Sequence, residues 1–317
     1  MVAPDVSQLW LQRIAWAGDH SHPTCHQRRS PGVDVRPTPY IHNRTDCREQ
    51  KEVVVVSTDM LGPKTSAGLG TAEFLVLRQD QLTRGYRWLG LLSRHNGEFH
   101  FQYTPQAAAD PELRPLPGFP DPDREYRSNG LFATFANRVM TPRRDSYQGF
   151  LDMIGLSGDL ADPFEVLART WGTRATDLIQ VLPVPVVDEA GRLRMRFLVH
   201  GGRYVDPDAE VLTTVHAGDR LSLVPEPENP QDKRAVLVGA GGPGPDRRVG
   251  YIPAPLVPFV HSLWAHGIDP EVTAERVNSP HAPLGSNQMR MLARLEATVG
   301  GGFDVMAALN PEQVRFV

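Results

Sequence analysis

Three short stretches combine residue types that can hold the end of a nucleic-acid strand. They are Gly201-Gly202-Arg203-Tyr204, Asn229-Pro230-Gln231-Asp232 and Gly250-Tyr251-Ile252-Pro253. A single-strand end presents unstacked bases, phosphates and a terminal hydroxyl. Aromatic rings stack on bases whatever their identity, and a guanidinium neutralises a phosphate. A carboxylate fixed on a rigid turn accepts a charge-assisted hydrogen bond from the hydroxyl and repels a continuing phosphate, which selects for ends. Each stretch also has a structural reading. Asn-Pro-x-Asp is good turn chemistry, in which the aspartate stabilises its own backbone. Tyr204 and Tyr251 read equally as wall aromatics, and Gly201-Gly202 permit a tight turn in either case.

The elements that must carry these residues are short strands. Asp188-Glu189-Ala190-Gly191 reads as an exposed turn. Beyond it Arg192, Arg194 and Arg196 alternate with Leu193, Met195 and Phe197, which puts three guanidinium groups on one strand face. That face is either a solvated outer surface or part of a binding surface. Further strands are expected at 210–215, 221–224, 235–238 and 248–252, a spacing that suggests a small barrel rather than βαβ units. A helix follows from Leu256 to Trp264 and stops near Gly267. The segment 283–317 contains an amphipathic stretch around 289–295 and a final apolar run, and its pattern does not say where it packs.

The order and spacing of LVHGGRYVDP, RLSLVPEPENPQDKRAVLV and RRVGYIP resembles the HIRAN domain, over about residues 192–280. The resemblance implies a small β-barrel that binds 3′ ends of single-stranded DNA, in a family found alone in bacteria and fused to SNF2-type remodellers elsewhere. It also implies roles. Arg203 and Tyr204 stand at the family's arginine–aromatic pair, Asp232 at its hydroxyl-binding aspartate, and Tyr251 on the strand that closes the same mouth; Asn229, in the aspartate's turn, joins them as a nucleic-acid-binding residue. One position departs: Gln231 stands where the best DNA-binding members carry an aromatic. Losing one stacking face costs about 1–3 kcal/mol per base, so weaker or altered binding is expected.

Upstream, residues 1–52 carry scattered prolines and no apolar period, and read as a disordered leader. Cys25, His26, His42 and Cys47 lack the paired close spacing of a zinc site, so no metal is expected there. Val53–Val56 reads as a strand, the glycine-rich stretch 62–70 as a connection, and Phe99-His100-Phe101-Gln102-Tyr103 as a half-buried strand. A long loop over 105–129 precedes helices with faces at 131–140 and 147–154. Asp162-Pro163-Phe164-Glu165 is a helix start, with aspartate at the cap and proline at the first helical position. Gly90-Leu91-Leu92, FHFQY, FATFANRVMTPRRDSYQGFLDMIGL and DPFEVLARTWG, over about 86–182, resemble the N-terminal subdomain of HipA-type toxin kinases. That resemblance implies a non-catalytic module that contacts proteins and whose stand-alone versions act as antitoxins.

Composition narrows the function further. A formal charge of −4 argues against a broad DNA-coating surface, so any DNA binding is local. Lys51, Lys64 and Lys233 are the only lysines; the other basic residues are arginines, suited to stacking and bidentate phosphate contacts, although GC-rich coding is the readier account of them. No Walker A, His-Glu-x-x-His, Gly-x-Ser-x-Gly, kinase catalytic-loop or helicase motif is present, so no enzyme activity and no cofactor are expected. No apolar stretch is long enough to span a bilayer, and a cytoplasmic protein is expected. The expected architecture is α+β, with a HipA N-terminal-subdomain-like module at 53–183, a HIRAN-type β-barrel at 184–282 and a tail at 283–317. The expected function is a non-catalytic adaptor for single-stranded DNA 3′ ends in repair or genome defence, alongside a helicase or nuclease. The alternative is an antitoxin-like regulator holding a HipA-like kinase.

Overall fold

The computed structural model describes residues 73–158, 161–174, 176–241, 247–279 and 289–310. The expected leader at 1–52 with its cysteines and histidines, the Val53–Val56 strand and the 62–70 connection lie outside them.

Two antiparallel sheets organise these residues. The first contains β1 (Glu73–Gln79), β2 (Tyr86–His95), β3 (Glu98–Tyr103), β4 (Tyr126–Ser128) and β5 (Ile179–Pro183), in the order β4-β3-β2-β1-β5. Asn96 and Gly97 both take positive φ, 51° and 86°, and form the two-residue turn that sets the β2–β3 register. β3 alternates as its sequence predicts, burying Phe99, Phe101 and Tyr103. Helices α1 (Pro105–Ala108), α2 (Ala133–Ala136), α3 (Tyr147–Met153) and α4 (Pro163–Thr170) connect β3 to β5. At the head of α4 the Asp162 carboxylate accepts the Phe164 N–H at 2.7 Å, as a cap should.

The second sheet contains β6 (Val186–Val187), β7 (Arg192–Leu198), β8 (Arg220–Pro225), β9 (Val236–Ala240), β10 (Arg248–Tyr251), β11 (Glu271–Val277) and β12 (Met291–Thr298). Their order is β10-β9-β8-β11-β12-β7-β6. A single helical turn, α5 (Gly202–Val205), follows β7; α6 (Val257–Ala265) follows β10, and α7 (Val305–Leu309) follows β12. β7 buries Leu193, Met195 and Phe197, and α6 covers this face with Val257, Phe259, Val260 and Leu263. Sequence pattern left 283–317 without a place; its β12 residues form an interior strand between β11 and β7.

The expected β-barrel is corrected: neither sheet closes. A barrel needs continuous pairing around its wall. Here β6 and β10 remain edges, and the segment after β7 meets β10 at one residue pair. His200 donates to the Tyr251 carbonyl at 3.0 Å and accepts the Tyr251 N–H at 2.7 Å. Gly201 then takes a left-handed conformation, φ 69°, and turns the chain into α5 before another pair can form.

The expected HipA-type module at 53–183 is corrected as well. Nothing in this α+β arrangement of two open sheets indicates it. The stretch 86–182 that suggested it is not a sheet in its own right, because β1 lies between β2 and β5. Its helices also differ: the period over 131–140 yields only the single turn α2. Leu75, Leu77, Trp171 and Leu182 from the first half belong to the buried cluster of the second sheet. Across the same junction the Asn278 amide donates to the Met153 carbonyl at 2.9 Å, and Arg169 faces Glu275 at 3.6 Å.

The strand expected at 210–215 is a 3-10 turn at Leu212–Thr214. Local side chains favour the tighter form: the Thr213 and Thr214 hydroxyls each donate to a carbonyl three residues back, at 2.7 Å. The Asp206 carboxylate accepts the Leu212 N–H at 2.9 Å.

Candidate nucleic-acid interface

The three stretches meet at one end of the second sheet. Gly201 is where the first joins the third. A Cβ there would lie 3.0 Å from Cδ2 of Tyr251 and 3.9 Å from Cδ2 of Tyr204, so both rings flank the glycine. Gly250 is required by a closer approach, since a Cβ would fall 2.5 Å from the His200 carbonyl oxygen. The single-turn α5 lifts Arg203 and Tyr204 into solvent, where Tyr204 is 72% exposed. The Arg203 guanidinium lies over the Tyr204 ring, 4.6 Å from its centroid, and donates to the Tyr204 hydroxyl. Arginine and aromatic ring are thus presented together, with a ring face available on the outside.

Tyr251 joins the second stretch. Its hydroxyl donates to Oε2 of Glu226 at 3.0 Å and accepts from the Asn229 amide at 3.4 Å. Asn229 in turn donates to the same Glu226 oxygen at 3.0 Å. Burial, reinforced by the Glu226 carboxylate, holds the Tyr251 phenol above the usual tyrosine range.

The Asn-Pro turn is built by side chains. Oδ1 of Asn229 accepts the N–H of Gln231 at 3.0 Å and of Asp232 at 3.3 Å. Oδ1 of Asp232 accepts the Arg234 N–H at 2.9 Å and, more loosely, its guanidinium at 3.4 Å. No described residue donates to Oδ2 of Asp232, and the side chain is 35% exposed. One oxygen builds the turn and the other keeps its lone pairs. Asn229, Gln231, Asp232 and Lys233 line an open hollow of about 360 Å³ on this turn.

All five expected residues, Arg203, Tyr204, Asn229, Asp232 and Tyr251, therefore belong to one connected surface. Glu226 and Arg248 were not anticipated, although Glu226 stands three residues before Asn229 in the same turn. Arg248 is held by Oε1 of Glu226 at 3.0 Å. Behind the mouth, burial pushes the His200 imidazole down to about 4. The arginines of β7 do not join this surface. Arg192 pairs with Asp188 at 2.8 Å and Arg194 with Glu296 at 2.5 Å on the exposed part of the face, whereas Arg196, paired with Glu275 at 2.7 Å, is mostly covered. Among the described residues no group of three or more His, Cys, Asp or Glu side chains could hold a metal ion, and no helix is long and apolar enough to cross a membrane.

Residues 193–296 match the family model of the HIRAN domain. The chain carries a HIRAN-like domain. The match runs from β7 through β12, and so includes the mouth described above. Among solved structures, the crystal structure of the HIRAN domain of human HLTF is similar at 23% identity, covering 34% of this chain and 74% of that one, with a TM-score of 0.23. No curated protein matches the chain.

Proposed function

We propose that the protein is a non-catalytic adaptor that binds the 3′ end of single-stranded DNA through Arg203, Tyr204, Asn229, Asp232 and Tyr251, in DNA repair or defence against foreign DNA. The observation that carries this reading is the position of Tyr251. Its ring packs at Gly201 beside Tyr204, and its hydroxyl reaches Asn229 on the Asp232 turn, so the stacking face and the free carboxylate oxygen border one site. In this reading a terminal base stacks on Tyr204, Arg203 meets a phosphate, and Oδ2 of Asp232 accepts the 3′-hydroxyl. The restricted site suits a chain of net charge −4, because an end-binding pocket needs few phosphate contacts. The antitoxin-like alternative loses its basis with the HipA-type module.

The test compares oligonucleotides ending in 3′-hydroxyl, 3′-phosphate and 5′-phosphate. Asp232→Ala is expected to weaken binding of the 3′-hydroxyl strand by about 1.5–3 kcal/mol and to erase its preference over the 3′-phosphate. Asp232→Asn retains an acceptor for the Arg234 N–H but lacks the charge, so it should lose the preference while keeping its stability. If the folded Asn variant discriminates between ends as the parent does, the aspartate serves only the turn and end recognition fails.

A further inference from the structure

Glu226 is the hub of the mouth. Its Oε2 accepts from both the Tyr251 hydroxyl and the Asn229 amide, while its Oε1 faces Nη1 of Arg248 at 3.0 Å. The carboxylate is mostly covered, at 17% exposure, whereas the Arg248 side chain, at the start of the outermost strand β10, is 45% exposed. No other described residue bonds to the Arg248 guanidinium. Arginine carries five N–H donors in a planar fork, so engaging Nη1 leaves donors for a second acceptor. The other arginines near the mouth are differently committed: Arg203 lies on Tyr204, Arg234 on Asp232, and Arg247 donates to Thr214. Arg248 alone of these is tethered to the carboxylate that also fixes Tyr251.

We propose that Arg248 is a further phosphate-binding residue of this mouth, and that Glu226 positions it and limits how strongly it engages a strand. The proposal rests on the reading of the mouth as a single-strand site. The guanidinium side of the pair faces solvent, so a backbone phosphate can share it while Glu226 keeps its bonds to Tyr251 and Asn229. Glutamine at 226 keeps a carbonyl oxygen for Tyr251 and Asn229 but presents an amide N–H to Arg248. The arginine is thereby released and the local charge becomes more positive.

The experiment uses the full chain and a fluorescent oligothymidylate with a 3′-hydroxyl, with binding measured over a series of salt concentrations. Arg248→Ala is expected to flatten the dependence of log affinity on log salt by about 0.7, the share of one phosphate contact on a single strand. Arg248→Lys should restore the slope, and it tests the charge even if the alanine variant fails to fold. Glu226→Gln should tighten binding several-fold at low salt, and the gain should vanish when combined with Arg248→Ala. An unchanged slope in folded Arg248→Ala, or a gain in Glu226→Gln that survives the loss of Arg248, overturns the proposal. A parent chain that binds no oligonucleotide overturns the single-strand reading and this assignment together, and the missing parent curve distinguishes that failure from the other two.

Discussion

Oε2 of Glu226 accepts the Tyr251 hydroxyl at 3.0 Å, tying the exit of β10 to the foot of the Asn-Pro turn. Tyr251→Phe keeps the ring and removes this bond to a charged acceptor, so a stability loss of about 1.5–3 kcal/mol is expected in chemical denaturation. The phenol is also held above its usual range. Its raised value in the folded state means that the contribution is complete below the unfolded tyrosine value of about 10 and is lost as pH rises through the folded one. The parent should therefore weaken in strong alkali more than Tyr251→Phe does. Equal alkaline losses would show that the bond contributes nothing to the fold.

His200 sets an acid limit. Its imidazole is pushed down to about 4 by burial, whereas an unfolded histidine titrates near 6.5. A depressed folded value gives stability that is present above the unfolded value and lost as pH falls from about 6.5 to about 4, on the order of 3 kcal/mol in all. Urea midpoints measured across this window should fall for the parent and stay nearly flat for His200→Gln. A parent curve that is level down to pH 4 would refute the assignment.

Arg203 and Tyr204 are exposed and contact mainly each other, so alanine at either position should leave stability within about 0.5 kcal/mol of the parent. Binding should separate them. Tyr204→Ala is expected to cost about 1–3 kcal/mol of single-strand affinity with no change in salt slope, because stacking releases few counterions. Arg203→Ala should weaken hydroxyl and phosphate ends alike and flatten the slope. Interchanged signatures would assign the phosphate contact elsewhere.

Trp171 belongs to the first half of the chain but is buried in the cluster of the second sheet, with Leu75, Leu77 and Leu182. Trp171→Ala should cost about 3–5 kcal/mol, and both sheets should melt in one transition. Residues 184–317 expressed alone should bind a dye for exposed apolar surface and lose a cooperative transition. A separate, unchanged melt of that piece would show that the halves are independent.

Sequence by itself determined the local chemistry. The Asx turn at Asn229, the cap at Asp162 and the alternation of β3 and β7 each depend on contacts within a few residues, so type and spacing suffice. The grouping of the three stretches comes from the resemblance to the HIRAN domain, and glycine at 250 is one local sign of it, since a Cβ there would meet the His200 carbonyl oxygen. Tertiary structure alone decided the rest. The central place of β12 depends on partners far along the chain, invisible to a window of periodicity, and the turn at 212–214 is fixed by the Asp206 carboxylate and the threonine hydroxyls, which no strand period records. Sheet closure was undecidable for the same reason: strand spacing does not say which strands pair, whereas the single His200–Tyr251 pair shows that the edges stay open. Glu226 and Arg248 escaped notice because an acid and an arginine distant in sequence become partners only when β10 and the Asn-Pro turn are folded side by side.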